Sequence, residues 1–199
     1  MLSNLDFDSL MEIDLDEAEE HEPQENVLPT DESAAQAPTN YLAPNEPEIS
    51  IGAKAKFAAN LNAIRTLKQI EQRGTPATEA EQDVLAGYLG WGGLADAFDP
   101  NKDSWHSEYE QLKNLLTPEE YTAAQESTLT AFYTPPAVIH AMYRALTRIG
   151  CVGGNVLEPS MGVGAFFGHR SGSFDTNNAK LYGVELDSVS GRIAQQLYQ

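Results

Sequence analysis

The 199-residue chain has one cysteine, Cys151, no long apolar run, and no Lys or Arg in its first fifty positions. A single thiol excludes an intramolecular disulfide framework and suits a reducing compartment. Cys151 stands among glycines with no local His or acid arrangement, so it reads as a packed or idle thiol. No stretch approaches the roughly 18 apolar residues that a membrane span requires, and no cationic-then-apolar leader opens the chain. A bacterial cytoplasm is the expected setting. Histidines are few and lack partners at metal-ligand spacing, so no metal site is expected, His106 included.

Acid is abundant and unevenly placed. Residues 1–50 hold fourteen of the thirty Asp and Glu and none of the twelve Lys and Arg. Such a segment buries too little apolar surface to offset its ordering entropy, and the sequence predicts a disordered acidic tail over 1–50. Like charge repels phosphate, so the tail is not a DNA-binding arm. It reads as a solvating spacer, or as a docking segment for a protein partner, because Leu5, Phe7, Leu10, Met11, Ile13 and Leu15 interleave its acids.

Helical periodicity dominates 51–126. Phe57, Leu61, Ile64 and Leu67 form one stripe over Ala53 to Arg73, with Gly74 placed to close the helix. Its cations, Lys54, Lys56, Arg65, Lys68 and Arg73, read as a solvated face or as contacts to a DNA backbone. Thr78 to Glu81 and Thr117 to Glu120 are capping boxes. Between them, Gly90-Trp-Gly-Gly93 breaks the periodicity, and the indole is expected to pack into a neighbour rather than stack on a base.

Chemistry is expected in the last third. Val156 and Leu157 end in Glu158 and Pro159, and glycines follow at 162 and 164. This is a strand–turn–helix grammar that brings backbone close to a nucleotide-type ligand and offers helix N–H groups to an anion. The dinucleotide fingerprint fits poorly: the third glycine, Gly168, comes one place late, and Phe167 fills a position that wants a small side chain. No phosphate-cradling loop with a Lys is present. A second buried strand is expected over Lys180 to Asp187. Its Glu185 lies twenty-three positions after Gly162, near the spacing at which a strand-tip carboxylate accepts ribose hydroxyls. Upstream, Thr134 reads as an N-cap and Pro135 as the first residue of a helix to Ile149, with Val138, Met142, Ala145 and Ile149 on its apolar face and Met142 as core filling.

The order TPPAVIHAM, VLEPSMGVGAF, YGVELD resembles the adenine-N6 DNA methyltransferases in which a Thr-Pro-Pro motif precedes the glycine loop. Gly90 to Phe98 and Ser127 to Tyr133 narrow the resemblance to the N-terminal part of large methylase–helicase proteins of phages and conjugative elements. It covers roughly residues 55–199. It implies S-adenosylmethionine as cofactor, with Tyr133 and Thr134 by its methionine end. Glu158, Ser160, Gly162 and Gly164 would lie along it, Glu185 on the ribose and Leu186 by the adenine. The implied fold is α/β: an incomplete Rossmann-like domain over 127–199, preceded by a helical lead-in over 51–126 and the acidic tail.

One departure matters. The family's catalytic [Asn/Asp/Ser]-Pro-Pro-aromatic tetrad, which holds a flipped-out base, does not follow Glu185, and the single Pro-Pro pair is Pro135-Pro136. The expectation is a cofactor-binding front end that does no chemistry by itself, with DNA met mostly through regions these residues do not contain. An open sheet edge should leave it marginally stable. Two alternatives stay open: a non-catalytic truncated product or interaction module of a phage or mobile element, and a methyltransferase acting on RNA, protein or cytosine N4.

Overall fold

The computed structural model describes residues 40–44, 51–170, 174 and 180–198, all within one unit spanning Ala37–Gln199. The expected acidic tail lies outside the described residues apart from 40–44. That short piece runs along the body: the Tyr41 N–H donates to Leu197 O at 2.8 Å and the Ala43 N–H to Gly168 O at 3.0 Å.

Helix α1 (Ala53–Arg73) forms over the span its periodicity predicts. Phe57, Leu61, Ile64, Leu67 and Ile70 are all buried, each contributing roughly 2 kcal/mol of gross apolar burial before entropy is counted. Gly74 ends the helix in the left-handed region, at φ 71°, and returns its N–H to Ile70 O. Both capping boxes form as the sequence indicates. Thr78 and Glu81 open α2 (Glu79–Ala86), and Thr117 and Glu120 open α4 (Pro118–Ser127) with Pro118 at the first helical position. Between them lie two short 3-10 turns, Ala95–Phe98 and Asp103–Trp105, and α3 (His106–Leu115).

Trp91 is the hub of this region. Buried in the turn after α2, it meets the edges of Phe57, Tyr88 and Phe98 with ring centroids 6.1, 6.3 and 5.4 Å away. These T-shaped pairs add about 1 kcal/mol each to the area buried. Asn60, fully buried on α1, pins the same turn: its amide donates to Gly90 O and accepts from the Leu89 N–H, both at 2.8 Å.

The chain then enters α5 (Pro136–Arg148), where the expected cap is corrected. The N-cap is Pro135, with ψ 141°, and no side chain caps the helix, so Thr134 does not serve. The cause is local: a residue preceding proline is disfavoured in the α region, so Pro136 holds Pro135 extended and itself becomes the first helical residue. The expected apolar face is also corrected. Ile139 and Tyr143 are buried, while Val138, Met142, Leu146 and Ile149 are 47, 50, 36 and 80% exposed. The helix rests on a small cluster of Ile139, Tyr143 and Phe174 with Val156, Ala165 and Phe166, which covers only one side of it.

Strands β1 (Val156–Glu158) and β2 (Leu181–Gly183) pair in parallel, Val156 opposite Leu181 and Glu158 opposite Gly183. The pairing continues past β2, with the Val184 N–H donating to Glu158 O and the Met161 N–H to Val184 O. The second strand is not buried as expected: Tyr182 and Val184 are about half exposed. One turn of helix, α6 (Ala165–Gly168), follows the glycine loop, and α7 (Ser188–Leu197) follows β2. Val189, Ile193 and Leu197 of α7 join the same apolar cluster as Phe57, Leu61 and Trp91. The helical lead-in and the strand region thus share one core across residue 126.

Candidate functional site

Three segments that are distant in sequence meet at the tip of the two strands. From the loop between β1 and α6, the Gly162 N–H donates to Glu185 Oε2 at 2.7 Å. The other carboxylate oxygen, Oε1, accepts the Asp187 N–H at 2.8 Å. From the segment before α5, Tyr133 lays its ring against Gly162, where an added methyl group would stand 2.9 Å from a ring carbon. The Tyr133 hydroxyl lies 3.2 Å from Ser190 Oγ on the first turn of α7. Burial pushes the Tyr133 hydroxyl well above its usual titration range, which keeps it neutral and a donor.

Tyr133 is held there from the helical side. Gly92 accepts no side chain, since a methyl group on it would come 2.3 Å from Ala131 O. Its N–H donates to that same oxygen at 3.1 Å, and the Gly93 N–H donates to Thr128 O at 2.9 Å. Lys56 on α1 ties down Gly92 O at 2.8 Å. The two stretches that narrowed the family resemblance, Gly90 to Phe98 and Ser127 to Tyr133, therefore touch through backbone, and their contact aims Tyr133 at the glycine loop.

The glycines are explained by neighbours within the chain. Gly162 and Gly164 have φ 55° and 82°, which L side chains rarely adopt. Tyr133 covers the first; the Tyr198 ring covers the second, where a methyl group would come within 2.4 Å. Sequence reasoning assigned this closeness to a ligand; in the structure the Tyr133 and Tyr198 rings also lie against the two residues. The helix-terminus argument also weakens. α6 has four residues, too short to sum a useful dipole. At α5, Pro135 and Pro136 carry no N–H, and the Val138 and Ile139 N–H groups both go to Pro135 O, so this helix start offers an anion few free donors.

The remaining predicted residues stand as follows. Glu158 is half-buried at the end of β1, and burial raises its carboxyl above the usual range. Thr134 is half-buried, Ser160 exposed, and Leu186 fully exposed. The structure brings together Tyr133, Gly162 and Glu185, with Gly164 one ring further along, and leaves Ser160 and Leu186 at the surface. A cavity of about 290 Å³ opens beside Glu185, lined also by Met161, Phe167, Gly183, Ala194 and Tyr198. That volume is near the lower end of ligand pockets, which run from about 300 Å³ upward.

Sequence reasoning missed Ser190, Asp187 and Tyr198. Asp187 had a readable signal, an Asp directly before an apolar helical period, and its carboxylate caps α7 by accepting the Ser190 N–H at 2.9 Å. Nothing local marked Ser190 or Tyr198. The basic face of α1 proves to be a set of tethers. Lys54 pairs with Glu108, Lys68 with Glu120 and Arg73 with Glu81, while Lys56 binds Gly92 O and Arg65 bonds to Gln111. Beyond the site, His140 and His169 stand with rings 5.4 Å apart, and burial, then His140, lowers the His169 pKa. Among the described residues no three His, Cys, Asp or Glu gather as metal ligands, and no helix is long and apolar enough to cross a membrane.

Over 145 residues, 70% of its length, the chain is 27% identical to "Defense against restriction protein B" of Escherichia phage P1. The chain resembles part of a phage protein. That part is small, since the matched stretch is 5% of the phage protein's length. No family model matches the chain, and no solved structure matches it.

Proposed function

We propose that residues 127–199 begin a Rossmann-like domain that binds S-adenosylmethionine, in a protein that methylates adenine N6 of DNA in the setting of phage defence against restriction. The observation that carries this reading is the 2.7 Å bond between the Gly162 N–H and Glu185. It puts a glycine loop after one strand and an acid at the tip of its parallel neighbour side by side, the arrangement shared by sites that hold a nucleoside. A carboxylate has about four acceptor positions. Two of those of Glu185 are spent on backbone N–H groups, and the others suit the two hydroxyls of a ribose. When bound, S-adenosylmethionine supplies a methyl group on a cationic sulfonium.

The chain's own residues bind and orient. Glu185 fixes the sugar. The Tyr133 ring and the loop at 162–164 wall the approach toward Thr134. The half-buried Glu158, harder to ionise than an exposed acid, lies at the base of the loop. No residue here is assigned to the transfer step, and the 199 residues contain no Asn-Pro-Pro-aromatic run. The name of the phage P1 relative supports the restriction setting, because methylating a recognition site is one chemical means of shielding DNA from cleavage.

Calorimetry of the chain with S-adenosylmethionine tests the reading. Binding that weakens at least tenfold in Glu185→Ala supports it, and no binding to the wild-type chain sinks it. A second reading keeps the setting and drops the chemistry: a non-catalytic module of a phage defence protein. The name of the P1 relative favours it, since that name states defence and not methyl transfer. A wild-type chain that ignores the methyl donor is the outcome expected of this second reading.

A further inference from the structure

Five residues at the strand tips form a closed circuit. Ser190 Oγ and the Ser190 N–H both donate to Asp187 Oδ2, at 2.5 and 2.9 Å. The Asp187 N–H donates to one oxygen of Glu185, and the other oxygen takes the Gly162 N–H. Tyr133 closes the ring, with its side chain packed on Gly162 and its hydroxyl 3.2 Å from Ser190 Oγ. Chemistry sets the direction of the hydroxyl chain. An ionised Asp187 only accepts, so the one proton of Ser190 goes there. Ser190 then accepts from Tyr133, which donates, and the buried Tyr88 hydroxyl also reaches Ser190. Ser190 is 4% exposed, so water does not substitute easily for either partner.

We propose that Ser190 is a positioning residue for the glycine loop and Glu185, joining Tyr133, on the far side of Gly162, to the Asp187 cap that orients the Glu185 carboxylate. Ser190 touches no ligand in this assignment. It fixes the angle at which Glu185 and the Gly162 amide present themselves, and so the affinity of the site. The ligand half of the proposal rests on the cofactor reading above, whereas the geometric half concerns only the chain.

Backbone amide exchange measured by NMR on the full chain separates the two. In Ser190→Ala the Gly162 amide should exchange roughly tenfold faster, the scale of one lost buried hydrogen bond. Amides deep in α1, such as those of Leu67 and Ile70, should keep their wild-type rates. Ser190→Thr, which retains the hydroxyl, should restore protection at Gly162. S-adenosylmethionine affinity, read by calorimetry, should fall about tenfold in Ser190→Ala and recover in Ser190→Thr. If Ser190→Ala does not fold, Tyr133→Phe removes the donor from the other end and carries the same expectation. Unchanged exchange at Gly162 in whichever variant folds overturns the proposal. Faster exchange at Gly162 in Ser190→Ala, together with no methyl-donor binding by the wild-type chain, supports the positioning role and overturns the cofactor reading instead.

Discussion

The amide of Gly162 and the carboxylate of Glu185, twenty-three positions apart in sequence, meet at 2.7 Å across the mouth of two parallel strands. That bond is short because one partner is charged. It ties the glycine loop to the end of the second strand, so a substitution at either should alter the other's geometry.

Gly164→Ala should destabilise the chain by about 2–3 kcal/mol. The backbone is left-handed at φ 82°, and the new methyl would stand 2.4 Å from the Tyr198 ring. In a Tyr198→Ala background the clash disappears and only backbone strain of about 1 kcal/mol persists. Urea unfolding of the four chains makes the comparison, and equal costs in both backgrounds would show that Tyr198 is not the obstacle.

Glu120 joins three helices. Its carboxylate, 6% exposed, accepts the Thr117 N–H of its own capping box at 2.9 Å and pairs with Lys68 of α1 and Arg192 of α7. Glu120→Ala takes one partner from each of two cations, Lys68 keeping Leu115 O and Arg192 keeping Glu71, and removes a cap acceptor. It should cost about 2–3 kcal/mol, below the full buried-pair range because both cations are partly wet and keep a second partner. The loss should show as a lower urea midpoint with an unchanged slope.

Acid should weaken the same joint. Burial alone would raise the Glu120 pKa, but the Thr117 N–H, Lys68 and Arg192 outweigh it and hold the group below its ordinary value. Glu81, gripped by Arg73 and its own capping box, is lowered from 4.5 to about 2. A depressed carboxylate stabilises the fold in full above its unfolded pKa and loses that contribution as pH falls through the folded one. Stability should therefore decline from about pH 4.5 toward pH 2. Glu81→Gln should flatten the curve only slightly, because that pair is solvent-screened, whereas Glu120→Gln should flatten it more. A urea midpoint independent of pH over that window would refute the assignment.

The two faces of α5 should respond differently. Ile139, fully buried, should cost about 2–4 kcal/mol on replacement by Ala. Met142, half exposed, should cost under about 0.5 kcal/mol. Comparable losses at both positions in thermal unfolding would mean that the exposed stripe is covered in solution.

Much of this fold was legible because its signals are local. The stripe of α1, its closing Gly74 and the boxes at Thr78 and Thr117 each depend on positions three or four apart, and each formed where the spacing put it. The failures are those of long-range information. Periodicity showed that α5 carries an apolar stripe but not which neighbour, if any, covers it, so Met142 was misassigned. Composition showed that α1 is basic but could not show Lys54 meeting Glu108 or Lys68 meeting Glu120, some fifty positions away. At Gly162 and Gly164 the sequence revealed a need for closeness but could not show the Tyr133 and Tyr198 rings that lie against them. At Thr134 the error was local but subtle, since the second of two prolines moved the helix start by one residue.

The docking of Gly92 on Ala131 bears on how this molecule can be dissected. A shortened chain beginning at residue 127 would keep every residue of the glycine loop and both strands. It would nonetheless release Tyr133, because the backbone that props it comes from a turn thirty-five positions upstream of the cut. Trimming to the apparent minimal domain would remove a wall, and weak binding by such a piece would report the missing prop, with the loop itself intact.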